Sequence, residues 1–417
     1  MTNTLLHEIA AQVGTPCYIY DQDKITANYQ RLAAAFAGCG IYYAVKANSN
    51  LSILKLLREL GAGFDVVSIG EMRRAMLAGA NAEQIVFAGV GKRDDELNEA
   101  LDAGIGWLNV ESAQELRVLS DIAQAKGLRP NVALRINPAV DPHTHQYLAT
   151  GKGSSKFGIN VEPALALVAQ RANYPGVNIA GVHAHIGSLL FEPATYAQTI
   201  QVLLDFVAEC RSFGADLSHV DVGGGFGVAY QSDDPQLAVE DIANAMLPLA
   251  RADGVNVQIE PGRYLVAEAG QLLTRVLYTK TNGDKHYAVV DAAMNDLIRP
   301  SLYGAAHQVY KLMINGQCSM VNGHSTEHLA LETQNSYEVV GPICESGDFL
   351  AHAVVLPDLQ RGDLLAIQHA GAYGFVMSSN YNTRPRAAEV MLHGQGWRII
   401  RPRETFESLV AGEIKNL

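Results

Sequence analysis

Short apolar runs rich in β-branched and aromatic residues recur along the first two thirds of the chain, and each reads as a buried strand. The first four, IYYAVKAN (41–48), GFDVVS (63–68), IVFAG (85–89) and WLNVE (107–111), begin 22 residues apart, the length of a strand-plus-helix unit. The series continues at VALRIN (132–137), IAGVHAHIG (179–187), HVDVGGG (219–225) and VQIEPGR (257–263). Between the runs lie helical patterns such as LSILKLLREL, SAQELRVLSDIAQAK and TIQVLLDFVAEC. Eight such units predict an α/β protein whose core is a closed (β/α)8 TIM-like barrel. Upstream, PCYIY (16–20) reads as a short strand before any helix, followed by an amphipathic helix over 25–36. From about Gly270 the rhythm changes to QLLTRVLYTK, HYAVVD, YEVVGPIC, LLAIQHAG and AEVMLHGQGWRII, which predicts a second, all-β domain. The expected division is a barrel over 22–268, with 269–417 forming the β-rich domain and 1–21 contributing a strand to it.

Each barrel run ends in polar or glycine-rich residues: Lys46, Asp65 to Ser68, Glu111, Asn137, His185, Gly223 to Gly225 and Glu260 to Arg263. A barrel's active site forms at the C-terminal ends of its strands, so these separated patches converge on one mouth. Lys46 closes an apolar run and then the pattern breaks. Either it is a solvated strand cap, or it is a desolvated amine suited to a Schiff base. The fifth connection (138–178), with His143, His145, Tyr147 and GKGSSKFG, is too long for a plain loop and reads as a functional excursion.

Composition narrows the classes. The 417 residues suffice for two domains, and hydrophobic residues at 48% with charged residues at 18% describe a globular chain. A net charge of −12 disfavours nucleic acid and anionic membrane as partners. No run approaches the roughly 20 apolar residues of a membrane span, and the N-terminus lacks the pattern of a signal peptide. Cys17, Cys39, Cys210, Cys318 and Cys344 are odd in number and scattered, as expected of free thiols in a reducing cytoplasm.

Four further features carry candidate chemistry. Asp221-Val222-Gly223-Gly224-Gly225 offers bare backbone N–H groups where barrels bind phosphate, or is only a tight turn. Glu260-Pro261-Gly262-Arg263 ends the eighth run, and its carboxylate either holds a pyridinium nitrogen protonated or pairs with Arg263. His183 and His185 alternate on the sixth run and so share one face; a zinc pair is conceivable, but no third ligand follows at zinc-like spacing, and no metal is expected. Gly187-Ser188 directly after them suggests a phosphate contact. Cys344-Glu345-Ser346-Gly347-Asp348 interrupts a strand of the second domain, and Tyr373 lies in a glycine-rich loop.

YYAVKAN, GFDVVSIGE, HAHIGS, DVGGGFG, EPGRYLVAEAG, RPSLYGAAH, CESGD and SSNYNTRPRAAEV span nearly the whole chain. Together they resemble the fold-type III pyridoxal-phosphate decarboxylases, whose fold is of the alanine racemase/ornithine decarboxylase kind. The resemblance implies pyridoxal 5'-phosphate as cofactor and a head-to-tail homodimer with active sites built from both chains. It makes Lys46 the lysine that holds the cofactor covalently. His185 would stack on the ring, and Ser188, Gly225, Gly262, Arg263 and Tyr373 would hold the phosphate. Glu260 would pair with the ring nitrogen, where alanine racemases place an arginine. Cys344 would be the proton donor, reaching over with Glu345 from the partner subunit. Arg263, Arg299, Tyr303, Glu345 and Tyr373 match substrate-binding positions, while Asp65 and His183 receive no role. The sequence departs from the common pattern at Ala306 in SLYGAAH, where others of the family often carry an aromatic.

The activity so implied is decarboxylation of meso-2,6-diaminopimelate to L-lysine. Glu345 would take the distal ammonium, and Arg299 with Arg263 the distal carboxylate. Other readings are decarboxylation of carboxynorspermidine or another diamino acid, a silent homologue that regulates by binding, and a cofactor-free Schiff-base aldolase. The last two sit poorly with the presence of Lys46, Cys344, Glu260 and a phosphate site.

Overall fold

The computed structural model describes residues 2–140, 156–313 and 334–414. His143, His145, Tyr147, Cys318 and the start of GKGSSKFG lie outside the described residues. The chain divides into two compact units, Thr26–Val228 with Gln236–Tyr264, and Met1–Ile25 with Ala229–Pro235 and Leu265–Leu417.

In the first unit the eight apolar runs are eight parallel strands: Gly40–Ala44, Gly63–Val66, Ile85–Phe87, Trp107–Val110, Asn131–Asn137, Asn178–His183, His219–Asp221 and Asn256–Ile259. Each pairs with the next, and the eighth pairs back with the first (Gln258 with Gly40, Ile259 with Ile41), so the barrel closes. The strands are three to seven residues long, shorter than the apolar runs. Lys46 consequently lies beyond the first strand, in a 3₁₀ turn over Val45–Ala47. The sixth strand stops at His183, so His185 sits past it and the two histidines do not share a strand face, contrary to expectation. The peptide turns there because Ala184 N–H donates to Asp221 O and His185 is drawn to the glycine turn of the seventh strand.

Two helices after barrel strands start alike. Ser68 Oγ accepts from Glu71 N–H while Glu71 Oε2 accepts from Val67 N–H, and Ser112 with Glu115 repeats the arrangement. In each, the serine caps the helix and the glutamate takes the amide just before it, which satisfies otherwise orphaned amides and fixes where strand becomes helix.

In the second unit Cys17–Asp21 is a central strand, antiparallel to Gly270–Asn282 and parallel to Ala388–His393. A helix over Asn3–Val13 precedes it, correcting the expectation of a strand before any helix. Leu6, Ile9 and Ala10 of that helix pack with Cys17, Ile19, Leu273, Ala366, Val390 and Leu392 in a buried core, so its apolar stripe is spent on the sheet.

Candidate active site

The barrel interior carries polar side chains from six of its strands or their immediate ends. Asp65, Asn109, Arg135, His183, Asp221, Gln258 and Glu260 are all buried, which requires that they satisfy one another. Lys46 Nζ lies 2.5 Å from Asp65 Oδ2, with Asp65 fully buried and the lysine side chain one-third exposed toward the rim. This ion pair is the compensation that the apolar run required, and a lysine anchored this way is not a solvated strand cap. Burial and the neighbouring Glu260 raise the Asp65 carboxyl, and Lys46 pulls it back.

Glu260 accepts from His183 Nε2 at 3.3 Å and from Asn109 Nδ2 at 3.5 Å. Burial pushes its carboxyl up, but His183, Lys46 and His185 outweigh this and hold it below the usual carboxylate range. A buried carboxylate kept ionised is what a protonated ring nitrogen needs beside it. Arg263 instead donates from Nε and Nη2 to Ser188 Oγ at 3.2 and 3.1 Å, bringing two predicted phosphate residues together. His185 accepts at Nδ1 from Gly224 N–H at 3.1 Å. Enclosure, together with the charges of Lys46 and Arg135, lowers its pKa to about 3, so the ring is neutral at physiological pH.

The glycine turn is built for close approach. A Cβ at Gly224 would stand 2.2 Å from Glu260 O, and one at Gly225, whose φ is +96°, 2.7 Å from Gly187 O. One at Gly262 would press on Ala44 Cβ at 3.0 Å. Glycine is thus required at 224 and 225; the amides of Gly223 and Gly224 are spent on Asp221 Oδ1 and His185 Nδ1, which leaves Gly225 as the turn's candidate phosphate contact. An ionised Glu260, a neutral His185, an amine at Lys46 and this cradle fit pyridoxal phosphate group by group.

The remaining predicted residues lie on the β-rich unit. Arg299 opens a short helix, Arg299–Tyr303, and is only 3% exposed. Its Nη1 donates to His307 Nε2 at 2.9 Å, and its guanidinium lies 4.6 Å from the Tyr230 ring centroid. His307 Nδ1 is 2.8 Å from Gln368 O, so Nδ1 carries the proton and Nε2 is free to accept. Tyr303 is half-buried. Cys344 and Glu345 are exposed on the loop between strands Gln334–Val340 and Phe349–Pro357. Asp348 shapes that loop by accepting from Met294 and Ile343 N–H, both at 2.7 Å, and Ser301 Oγ, beside Arg299, donates to Gly347 O. Tyr373 holds φ +56°, a strained conformation for a non-glycine residue.

Sequence reading missed Asn109, Asp221, Gln258, His307 and Tyr230. It also missed that Asp221 and Glu260 supply spatially the further ligand-type groups near His183 that the linear spacing lacked. Asp221 and Gln258 carried one signal, a polar residue inside an apolar strand run.

A closed parallel barrel with a lysine, an ionised carboxylate and a glycine cradle at the C-terminal ends of its strands defines a pyridoxal-dependent barrel enzyme. The family described as pyridoxal-dependent decarboxylase, pyridoxal binding domain, matches residues 22–267. Diaminopimelate decarboxylase of Pseudomonas aeruginosa is 44% identical over 410 residues, 98% of this chain and 95% of that one. That of Aquifex aeolicus is 41% identical over 405 residues, 97% and 93% respectively. Among solved structures, diaminopimelate decarboxylase from Helicobacter pylori complexed with L-lysine superposes with a TM-score of 0.91 at 39% identity, covering 99% of this chain and all of that one. The chain belongs to the diaminopimelate decarboxylase family of pyridoxal-dependent decarboxylases.

Proposed function

We propose that the protein is a carboxy-lyase that converts meso-2,6-diaminopimelate to L-lysine and carbon dioxide, with pyridoxal 5'-phosphate held at Lys46. The observation that carries this reading is the buried Glu260 carboxyl, 3.3 Å from His183 Nε2, in the same barrel as the Lys46–Asp65 pair. An arginine at that position would favour racemisation instead; a carboxylate favours the stronger electron sink that loss of carbon dioxide needs. When bound, the cofactor supplies that sink.

The chain's residues do the rest. Ser188, Gly225, Gly262, Arg263 and Tyr373 hold the phosphate. His185 presents a neutral ring face to the cofactor ring. Asp65 Oδ2 takes the proton that Lys46 Nζ must lose before it can act as a nucleophile. Arg299, with Arg263 and Tyr303, grips the distal carboxylate of the substrate, and Glu345 takes the distal ammonium. Cys344 delivers a proton to the carbon that has lost its carboxylate. Its exposure, and that of Glu345, supports a homodimer in which each chain lends these two residues to its partner. The scattered thiols and the absence, among described residues, of any helix long and apolar enough to cross a membrane agree with a cytoplasmic enzyme.

A substrate panel tests the reading. The purified protein with pyridoxal phosphate should form lysine from meso-diaminopimelate and leave lysine, ornithine and carboxynorspermidine essentially untouched. Faster turnover of any of the other three would replace diaminopimelate as the substrate.

A further inference from the structure

Behind Glu260 the barrel holds two titratable groups that the mechanism does not use. His183, Asp221 and Glu260 come from the sixth, seventh and eighth strand ends, are 1%, 0% and 4% exposed, and present one ligand-type atom each within 4.8 Å of the others. Two carboxyl groups this close in a water-free interior do not both ionise. Their other neighbours decide which keeps the proton. Glu260 faces His183, Lys46 and His185. Asp221 is bonded by neutral dipoles, Gly223 N–H to Oδ1 at 2.8 Å and Gln258 Nε2 to Oδ2 at 2.7 Å, with Asp65 and the Tyr42 phenol as further acidic neighbours. The Lys46 ammonium and the Nε2–H of His183 thus lie on the Glu260 side, and the proton belongs on Asp221. A proton on Asp221 places an O–H donor within 4.8 Å of the Glu260 carboxylate. His183 Nε2 also meets a carboxylate oxygen, which can only accept, so Nε2 carries its hydrogen. Its Nδ1 is buried without a hydrogen-bond partner, so the ring's whole polar contribution is directed at Glu260. His219, packed nearby, faces both His183 and Glu260, and burial lowers its pKa to about 4, which keeps it neutral.

We infer that Asp221, as an un-ionised acid, and His183, through its Nε2–H, are positioning residues that fix Glu260 as an anion aimed at the cofactor's ring nitrogen. The inference rests on the proposed role of Glu260. It gives the barrel a relay of strand-borne donors whose only common acceptor is the group facing the cofactor. Asp221 and His183 do not touch the reacting atoms.

The test is infrared difference spectroscopy of the holoenzyme, wild type against Asp221→Asn, at about pH 8, where Glu71 and Asp296, both pushed up to about 7, are largely ionised. The carbonyl stretch of an un-ionised carboxylic acid should be present in the wild type and missing from the variant. In parallel, Asp221→Leu and His183→Leu, which lose the donor, should weaken pyridoxal-phosphate affinity about tenfold or more. Asp221→Asn and His183→Gln, which keep a donor, should recover most of that loss. If the wild type shows no acid band that Asp221→Asn removes, or if the donor-keeping variants bind cofactor as poorly as the leucine variants, the inference is overturned. Failure of the underlying reading looks different: Glu260→Gln would then leave the bound cofactor's absorbance unchanged while the Asp221 band persists.

Discussion

If Arg299 binds the distal carboxylate as proposed, this single side chain decides how much of the substrate the site recognises. The alternative is that Arg299 pairs with Asp296 and merely holds its loop. Asp296 instead accepts from Ala293 N–H through Oδ2, while Arg299 is held by the acceptor nitrogen of His307 and the face of Tyr230. A guanidinium is a planar fork that can grip a carboxylate in two parallel bonds, and lysine cannot copy it. Arg299→Lys should therefore lower kcat/KM for diaminopimelate by about 2–4 kcal/mol of transition-state binding, with the bound cofactor's absorbance unchanged. Steady-state kinetics and spectra of the variant measure both, and unchanged kinetics would leave Arg263 to bind the distal carboxylate. Asp296 itself makes a prediction about stability. Burial raises its carboxyl from 3.8 to about 7, so the folded state holds a proton that the unfolded chain has already released. The penalty is absent below about pH 4, grows as pH rises toward 7 and then stays constant, reaching up to about 4 kcal/mol. Asp296→Asn should raise Tm above neutrality and lose that advantage in acid; thermal melts of both proteins across this window read the difference, and an equal gain at every pH would mean that titration is not its source.

Among elements, the turn after the seventh barrel strand is the most constrained. Gly224→Ala would drive a methyl group into Glu260 O, and Gly225→Ala would add a left-handed φ for alanine. Each should weaken retention of pyridoxal phosphate at least tenfold, because the amides of the turn must move to relieve the clash. Dialysis followed by cofactor absorbance would show it, and full retention by Gly225→Ala would remove the turn from the phosphate site. This turn was legible in the sequence because three consecutive glycines at a strand end have few uses. The barrel strands were legible for a similar reason: runs such as IYYAV and IVF are apolar on both faces, as only strands covered by helices can be. What lay beyond reading was where they stop. Lys46 and His185 fall just outside their strands, because the ladder ends where Asp65 and the glycine turn recruit these side chains. The Asn3–Val13 helix was missed since its apolar positions, Leu6, Ile9 and Ala10, are too few to stand out before a strand as strong as CYIY. The contact between His183 and Glu260, 77 residues apart, exists only once the barrel has closed.

For the molecule as a whole, the barrel carries all the groups proposed to hold the cofactor except Tyr373, and the β-rich unit carries Tyr373 with Arg299, Tyr303, Cys344 and Glu345. If each chain lends Cys344 and Glu345 to its partner, two dead variants complement each other. Mixing Lys46→Ala with Cys344→Ala under conditions of subunit exchange should restore about one working site in each hybrid dimer, as two-fold symmetry allows. No recovery after exchange has been verified would place both residues in the same chain's site.

All of these expectations begin at Lys46, and the most direct measurement addresses it alone. Borohydride converts a lysine-linked cofactor into a permanent adduct, which peptide mass analysis can locate. The holoenzyme treated this way should carry the adduct on the peptide containing Lys46 and lose activity in step with labelling, whereas Lys46→Ala should take up no label and show no turnover. An adduct on another lysine, or normal lysine production by Lys46→Ala, would contradict the account.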